Sequence, residues 1–411
     1  MSLWWIKFFK IIIIQGLIGI VRSDAEIKLL HVLFRHGDKV PHKEFQNYPT
    51  DPHGNHSYYP MDSGDLTNEG KLREYKIGEV LREKYGRFLG PYYQPSLIFG
   101  RSTDVPRTQM SLELVLAGLF PPTGEQIWNP HLPWIPVSTV SVPNEQDSLL
   151  FPHHCPEYVK EYKNFLEQDI TKNMINKHKE VMKYLTDNTG KQVDQTSAVY
   201  YLYNLFNEQI AQNLTLPEWT KNVYPNSMKE ITELDFNLRS YTNKLKRLNG
   251  GILLHEITEG MKALRDGVLQ PHERKAFFYS AHELNVAAAA RALGTNDPIL
   301  PLYGSTIIFE TLKDEHNNYF IKVQLWTGVT EQFITQTIPG CTELCPLDQF
   351  LELLRDVIAT DEEADCYGLK KNEKKNLKES KASSSSRCNF NATNIFIFLV
   401  SFSLKFFNIL I

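Results

Sequence analysis

The sequence predicts an α/β fold, a sheet covered by helices on both faces, interrupted by a mainly helical insertion. Three short apolar, β-rich runs (residues 27–34, 96–99 and 276–280) each lead through a polar loop into helical spacing. Residues 156–268 instead carry helical patterns rich in Lys, Asn, Glu and Tyr, with few strand signals. Long apolar runs occur only at the two ends of the 411 residues, and 42% hydrophobic with 22% charged residues is an ordinary globular balance. These features exclude a wholly disordered chain and a multi-span membrane protein. A formal net charge of −4 and the absence of nucleic-acid motifs exclude a nucleic-acid partner.

Along the chain, residues 1–25 read as an export signal: Lys7 and Lys10 precede an apolar run over 11–21, which is short for a membrane span, and small residues come next. Residues 27–34 form a buried strand that stops at the loop Arg35-His36-Gly37-Asp38-Lys39-Val40-Pro41. Residues 66–85 have helical spacing, with Leu72, Ile77, Val80, Leu81 and Tyr85 as the apolar stripe and Gly86 as the stop. A second strand at 96–99 ends at Arg101-Ser102-Thr103-Asp104. A helix over 105–119 succeeds it, capped by Thr103 or Asp104, with Pro106 in its first turn. The core is thus expected over 26–155 and 269–366, with residues 156–268 as a helical cap. The third strand, 276–280, ends at His282-Glu283 and leads into an alanine-rich helix, 284–293, stopped by Gly294. Residues 305–310 and 319–326 form an antiparallel pair.

The last two segments are of another kind. Residues 367–390 are a polar, lysine-rich linker and 391–411 an apolar tail. The tail fits a lipid-anchor (GPI) signal, a short membrane span interrupted by Lys405, or a free greasy end. Among five cysteines, Cys341 and Cys345 are close enough to close a short loop, which leaves Cys155 and Cys366 to pair across the chain and Cys388 as the odd one. Asn55, Asn213 and Asn391 begin glycosylation sequons.

In α/β sheets ligands bind beyond the strand C-termini. The polar loops at those ends bring Arg35, His36, Lys39, Arg101, His282 and Glu283 together. So many cationic groups repel one another unless an oxyanion sits among them. A phosphate offers oxygens that arginine forks and lysine attracts, and Arg101 and His282 each lie just before a predicted helix, whose free N–H groups favour anions. There is no P-loop, no metal motif and no Gly-x-Ser-x-Gly. His53, His56, His153 and His154 have no metalloenzyme spacing, so neither a metal nor a cofactor is expected. The chemistry left is attack by a histidine nitrogen on phosphorus. His36 is the candidate nucleophile and Glu283 the proton donor to the leaving oxygen, with His282 on a phosphate oxygen.

The segment Leu33-Phe34-Arg35-His36-Gly37-Asp38-Lys39-Val40-Pro41 closely resembles the signature of the histidine acid phosphatases. Residues 101–108, Phe120-Pro121-Pro122, Ile127-Trp128-Asn129-Pro130, Ser280-Ala281-His282-Glu283, residues 214–220 and the Cys341–Cys345 segment continue the likeness over about 28–366, and it looks most like the insect venom branch. The resemblance implies a phosphoglycerate-mutase-like mixed sheet with a helical cap. It implies a phosphohistidine on His36, with Arg35, Lys39, Arg101 and His282 holding the phosphate and Glu283 as the acid. It also implies the pairs Cys155–Cys366 and Cys341–Cys345, a homodimer, and an exported glycoprotein that is secreted, lysosomal or tethered to a membrane.

Two positions depart from that pattern. Lys39 stands where the family usually carries Arg, which keeps the charge but loses the fork. Glu283 stands where many relatives carry Asp. The expected activity is hydrolysis of small phosphate monoesters. A weakened phosphatase that only binds phosphate esters, and an enzyme specialised for inositol phosphates or lysophospholipids, are the alternatives. A carboxylic donor titrating near its ordinary value of about 4.3 makes activity fall above neutral pH.

Overall fold

The computed structural model describes residues 25–328 and 332–368. The expected export signal up to residue 24, residues 369–411 of the linker and tail, Cys388 and the Asn391 sequon lie outside them. Among the described residues, those up to Ala364 form one compact unit, and Asp365 to Gly368 fall outside it.

The strands are β1 (Glu26–Arg35), β2 (Ile98–Thr103), β3 (Thr139–Val142), β4 (Ala276–Ala281), β5 (Thr306–Lys313), β6 (Tyr319–Trp326), β7 (Ile334–Gln336) and β8 (Cys345–Pro346). They form one mixed sheet in the order β3-β2-β4-β1-β5-β6-β7, with β8 against β6. The first four in that order are parallel, and β1 turns the sheet antiparallel by pairing with β5 on its other side. The expected hairpin is β5–β6, closed by Asp314, which accepts from the backbone N–H of His316 and Asn318.

Helix α1 (Asn68–Leu89) is capped by Thr67, whose hydroxyl accepts from Gly70 N–H at 3.0 Å. It runs through Gly86 and ends at Gly90, where φ is +91°, so the stop falls one turn later than expected. Leu72 is exposed and lies outside the buried stripe of Ile77, Leu81 and Tyr85. Helix α2 (Pro106–Leu119) begins from Val105, which offers no side-chain cap. Strand β2 starts and ends later than expected, because residues 100–103 pair with β3 and most of them with β4 as well. The core on this side joins Leu30, Val32, Phe34, Ile77, Leu81, Leu112, Leu116 and Phe278.

The helical insertion has its own apolar centre. Helices α3 (Thr196–Ala211) and α4 (Asn226–Leu238) surround Leu202, Leu205, Phe206, Met228 and Ile231. Tyr48, from the segment after β1, completes that centre. Helix α5 (Gly250–Arg265) belongs elsewhere: a Cβ at Gly250 would lie 2.2 Å from the Ala288 carbonyl oxygen, and one at Gly260 would lie 2.8 Å from the His31 ring. This helix therefore packs on β1 and on α6 (Glu283–Leu293), within residues expected to be cap.

His31, inside β1, stacks on Phe277 at 4.8 Å, and neither ring nitrogen has a hydrogen-bond partner. Burial pushes its pKa down to about 3. Between that value and the ordinary 6.5 the unfolded chain binds the extra proton. This contribution to stability is complete above about pH 6.5 and shrinks as pH falls toward about 3, a loss of about 3 kcal/mol by about pH 4.5. His31→Phe is expected to remove that slope. Thermal midpoints at about pH 7 and about pH 4.5 should lie closer together in the variant than in the wild type.

Candidate active site

Parallel register brings the ends of β1, β2 and β4 to one edge: Arg35 is level with Ala281, and Ser102 with Ser280. The His36 N–H donates to the Ala281 carbonyl at 3.0 Å, and the Arg35 N–H to that of Ser305 at 3.0 Å. A cavity of about 450 Å³ opens there, lined by His36, Lys39, Arg107, His282 and Glu283 at its charged end and by Phe45, Phe151, Tyr201 and Leu284 along its walls.

His36 is buried, with Nδ1 2.9 Å from the Gly37 carbonyl oxygen. A carbonyl only accepts, so Nδ1 carries the proton and Nε2 keeps its lone pair. Burial first, then the Arg107 and Arg35 charges, hold the imidazole pKa well below its ordinary value, so the ring is neutral in mild acid. Its loop has no slack. A Cβ on Gly37 would lie 2.5 Å from the Gly70 carbonyl oxygen, and one on Gly70 would lie 2.1 Å from that of Asp38. Arg73 forks onto Asp38 at 2.6 and 3.3 Å.

His282 precedes the first residue of α6, and its ring centre is 5.4 Å from that of His36. An Arg107 Nη2 hydrogen points at its Nδ1 from 3.4 Å, and arginine only donates. Nε2 of His282 therefore carries the proton and donates to Thr103 Oγ1 at 3.1 Å, and the Thr103 hydroxyl passes the chain to Thr108 at 2.6 Å. Burial and then Arg107 keep this ring neutral as well.

Glu283 forms a buried ion pair with Arg35. Its other oxygen accepts from Tyr200 Oη and, at 2.8 Å, from Asn204 Nδ2, both on α3. Burial pushes its pKa up, but Arg35 and these two donors outweigh burial and hold it below the ordinary carboxylate value. Arg35 also donates to the Pro301 carbonyl at 2.7 Å and lies 3.9 Å from the Tyr303 ring centre.

Two expected phosphate ligands are placed differently. Arg101 lies within β2, level with Tyr279 and Val140, and not before a helix. Its guanidinium reaches Asp147 at 2.6 Å, outside the cavity wall. Arg107, in the first turn of α2, takes the position at the cavity, and among the described residues no carboxylate pairs with it. Lys39 lines the cavity, but its ammonium is turned to Glu208 on α3 at 2.8 Å, Gln46 Oε1 at 3.2 Å and the Val40 carbonyl at 3.3 Å.

The model of the histidine phosphatase superfamily, branch 2, matches residues 26–325. Venom acid phosphatase Acph-1 of Apis mellifera is 36% identical over 86% of this chain and 91% of its own length. The chain belongs to this superfamily. Prostatic acid phosphatase of Homo sapiens is 32% identical over 83% of the chain and 88% of its own length. Among solved structures, the Hafnia alvei phytase in complex with myo-inositol hexakis sulphate superposes with a TM-score of 0.62 at 17% identity, covering 84% of this chain and 99% of that one. This likeness agrees in fold with the mixed sheet and its flanking helices.

For a histidine phosphatase, sequence reasoning missed Arg107, Tyr200, Asn204, Glu208 and Tyr303. Arg107 carried a usable signal, since Pro106 marks a helix start and Arg107 comes directly after it, inside that helix's first turn. The residues of α3 carried none, because their partners are about 80 or more positions away. Cys341 and Cys345 form a disulfide, and Cys155 and Cys366 are each engaged in a disulfide. Asn55 and Asn213 are both exposed.

Proposed function

We propose that this histidine phosphatase is an acid phosphatase that hydrolyses small phosphate monoesters through a phosphohistidine on His36. The observation that carries the reading is a neutral, buried imidazole with a free Nε2 lone pair beside the guanidinium of Arg107, which has no carboxylate partner among the described residues. The phosphoryl group binds between Arg107 and Arg35, beside the His282 ring that orients Arg107. Nε2 of His36 attacks phosphorus, the bond to the leaving oxygen breaks, and that oxygen takes a proton from Glu283. The Nδ1–H bond to Gly37 holds the ring in line and steadies the charge it gains. Water then attacks phosphorus and gives a proton to Glu283, the P–N bond breaks and phosphate leaves.

Glu283 is ionised in the free protein, so its proton has to arrive with the substrate. A phosphate ester, whose second pKa is near about 6, brings one in mild acid. Once its oxygens engage Arg35, the carboxyl loses the partner that kept it charged. Activity therefore falls above neutral pH for a different reason than an ordinary glutamate titration. Among the described residues the cavity lining contains no Lys or Arg beyond Lys39 and Arg107, which supports substrates with a single phosphate. The leader, the sequons at Asn55 and Asn213 and the Cys341–Cys345 disulfide support an exported glycoprotein. The test is a rapid quench with labelled substrate. Label bound to protein should be lost in acid and kept in alkali, and absence of any trapped label during turnover overturns the phosphohistidine.

A further inference from the structure

Lys39 holds the position where the resembled signature carries a forked arginine, yet its three donors are all spoken for. Its ion-pair partner, Glu208, is itself buried and accepts a further hydrogen bond from Tyr303 Oη at 3.1 Å. Arg35 is matched by Glu283 in the same way. With His36 and His282 neutral, Arg107 alone among the described groups at the charged end contributes an unbalanced charge, and the site carries a net charge of about one positive unit. A phosphate dianion exceeds that charge, whereas a monoanion, or a dianion entering with one proton, matches it.

We infer that Glu208 is a positioning residue that cancels Lys39 and so sets the charge of the phosphate site, making it select the singly charged form of its ligand. The inference rests on the proposed phosphate site and reaches beyond it to the cause of the acid preference. The groups facing the pair are consistent with it. Around Lys39 stand Arg107, His42, His282 and Glu283. Around Glu208 stand Tyr303, Tyr58, Arg35, Gln46 and, at longer range than Lys39, Arg107. None of these supplies a second carboxylate within ion-pair distance of Lys39 among the described residues.

Calorimetry with inorganic phosphate tests the inference without needing turnover, so its outcome is separable from that of the quench experiment. At about pH 7.5 Glu208→Gln should bind phosphate about tenfold tighter, the effect of one freed charged donor. In a Lys39→Met background Glu208 loses the cation that opposes the upward push of burial and takes up a proton, so the same change removes no charge and should shift affinity by less than about twofold. The alkaline limb of kcat/KM should also move up by about one pH unit in Glu208→Gln. Unchanged or weaker phosphate binding by folded Glu208→Gln, or an equal gain in both backgrounds, overturns the inference. Should that variant fail to fold, the wild type decides. Phosphate binding at about pH 7.5 should take up about one proton, read from the buffer dependence of the enthalpy, and an uptake near zero overturns the inference.

Discussion

His36→Ala is expected to lower kcat/KM by about 10⁴-fold or more and to abolish trapped phosphoryl protein. The size reflects what the imidazole does alone. It supplies an imidazole lone pair at the charged end of the cavity that no donor occupies, and removing it leaves electrostatic binding of phosphate without a nucleophile. Because the loop is wedged against α1 and Gly37 donates to Ser111 at 3.2 Å, the backbone should keep its place in the variant. Phosphate affinity should therefore survive within about tenfold while turnover is lost. A variant that retains a tenth of wild-type turnover would show that another group attacks phosphorus.

Arg107→Ala is expected to lower kcat/KM by about 10²–10³-fold, the usual effect of losing one placed donor to a phosphoryl oxygen. It should also move the acid limb of activity upward. Arg107 is the largest charge holding the His36 and His282 pKa values down after burial itself, so removing it lets both rings take a proton at higher pH. The control is Arg101→Ala. That change leaves Asp147, which also accepts from the N–H of Leu149 and Leu150, without its cation. It should cost about 2 kcal/mol of stability and lower kcat/KM by less than about tenfold. The reverse ranking of the two arginines would restore Arg101 to the phosphate.

The parts of the site that were legible in the sequence are those on strand ends. A β-branched, apolar run such as residues 27–34, bounded by a Gly/Pro loop, reads as a strand buried on both faces, and the loop leaving the end of such a strand faces the ligand edge. This placed Arg35, His36, His282 and Glu283. Arg101 is read as a loop residue because the apolar run stops at residue 99, whereas β2 continues to Thr103. A short edge strand, β3, extends the pairing through Thr103 and holds Arg101 in the ladder, and four residues of Thr-Val-Ser-Val give little periodicity to read. The residues of α3 were beyond reach for another reason. Tyr200, Asn204 and Glu208 recur every four positions on a helix. That spacing shows only that they share a face, and nothing local says which groups the face meets.

The two glycines pressed together behind the nucleophile also bear on how this scaffold diverges. Gly37 and Gly70 leave no room for a side chain at either position, so the wall that carries His36 is frozen in shape. Any drift toward a bulkier, longer or more polar leaving group has to be accommodated on the opposite side, by α3 and the Phe151–His154 segment. New preferences in descendants of this chain would accordingly accumulate in α3 and that segment while the signature stays silent.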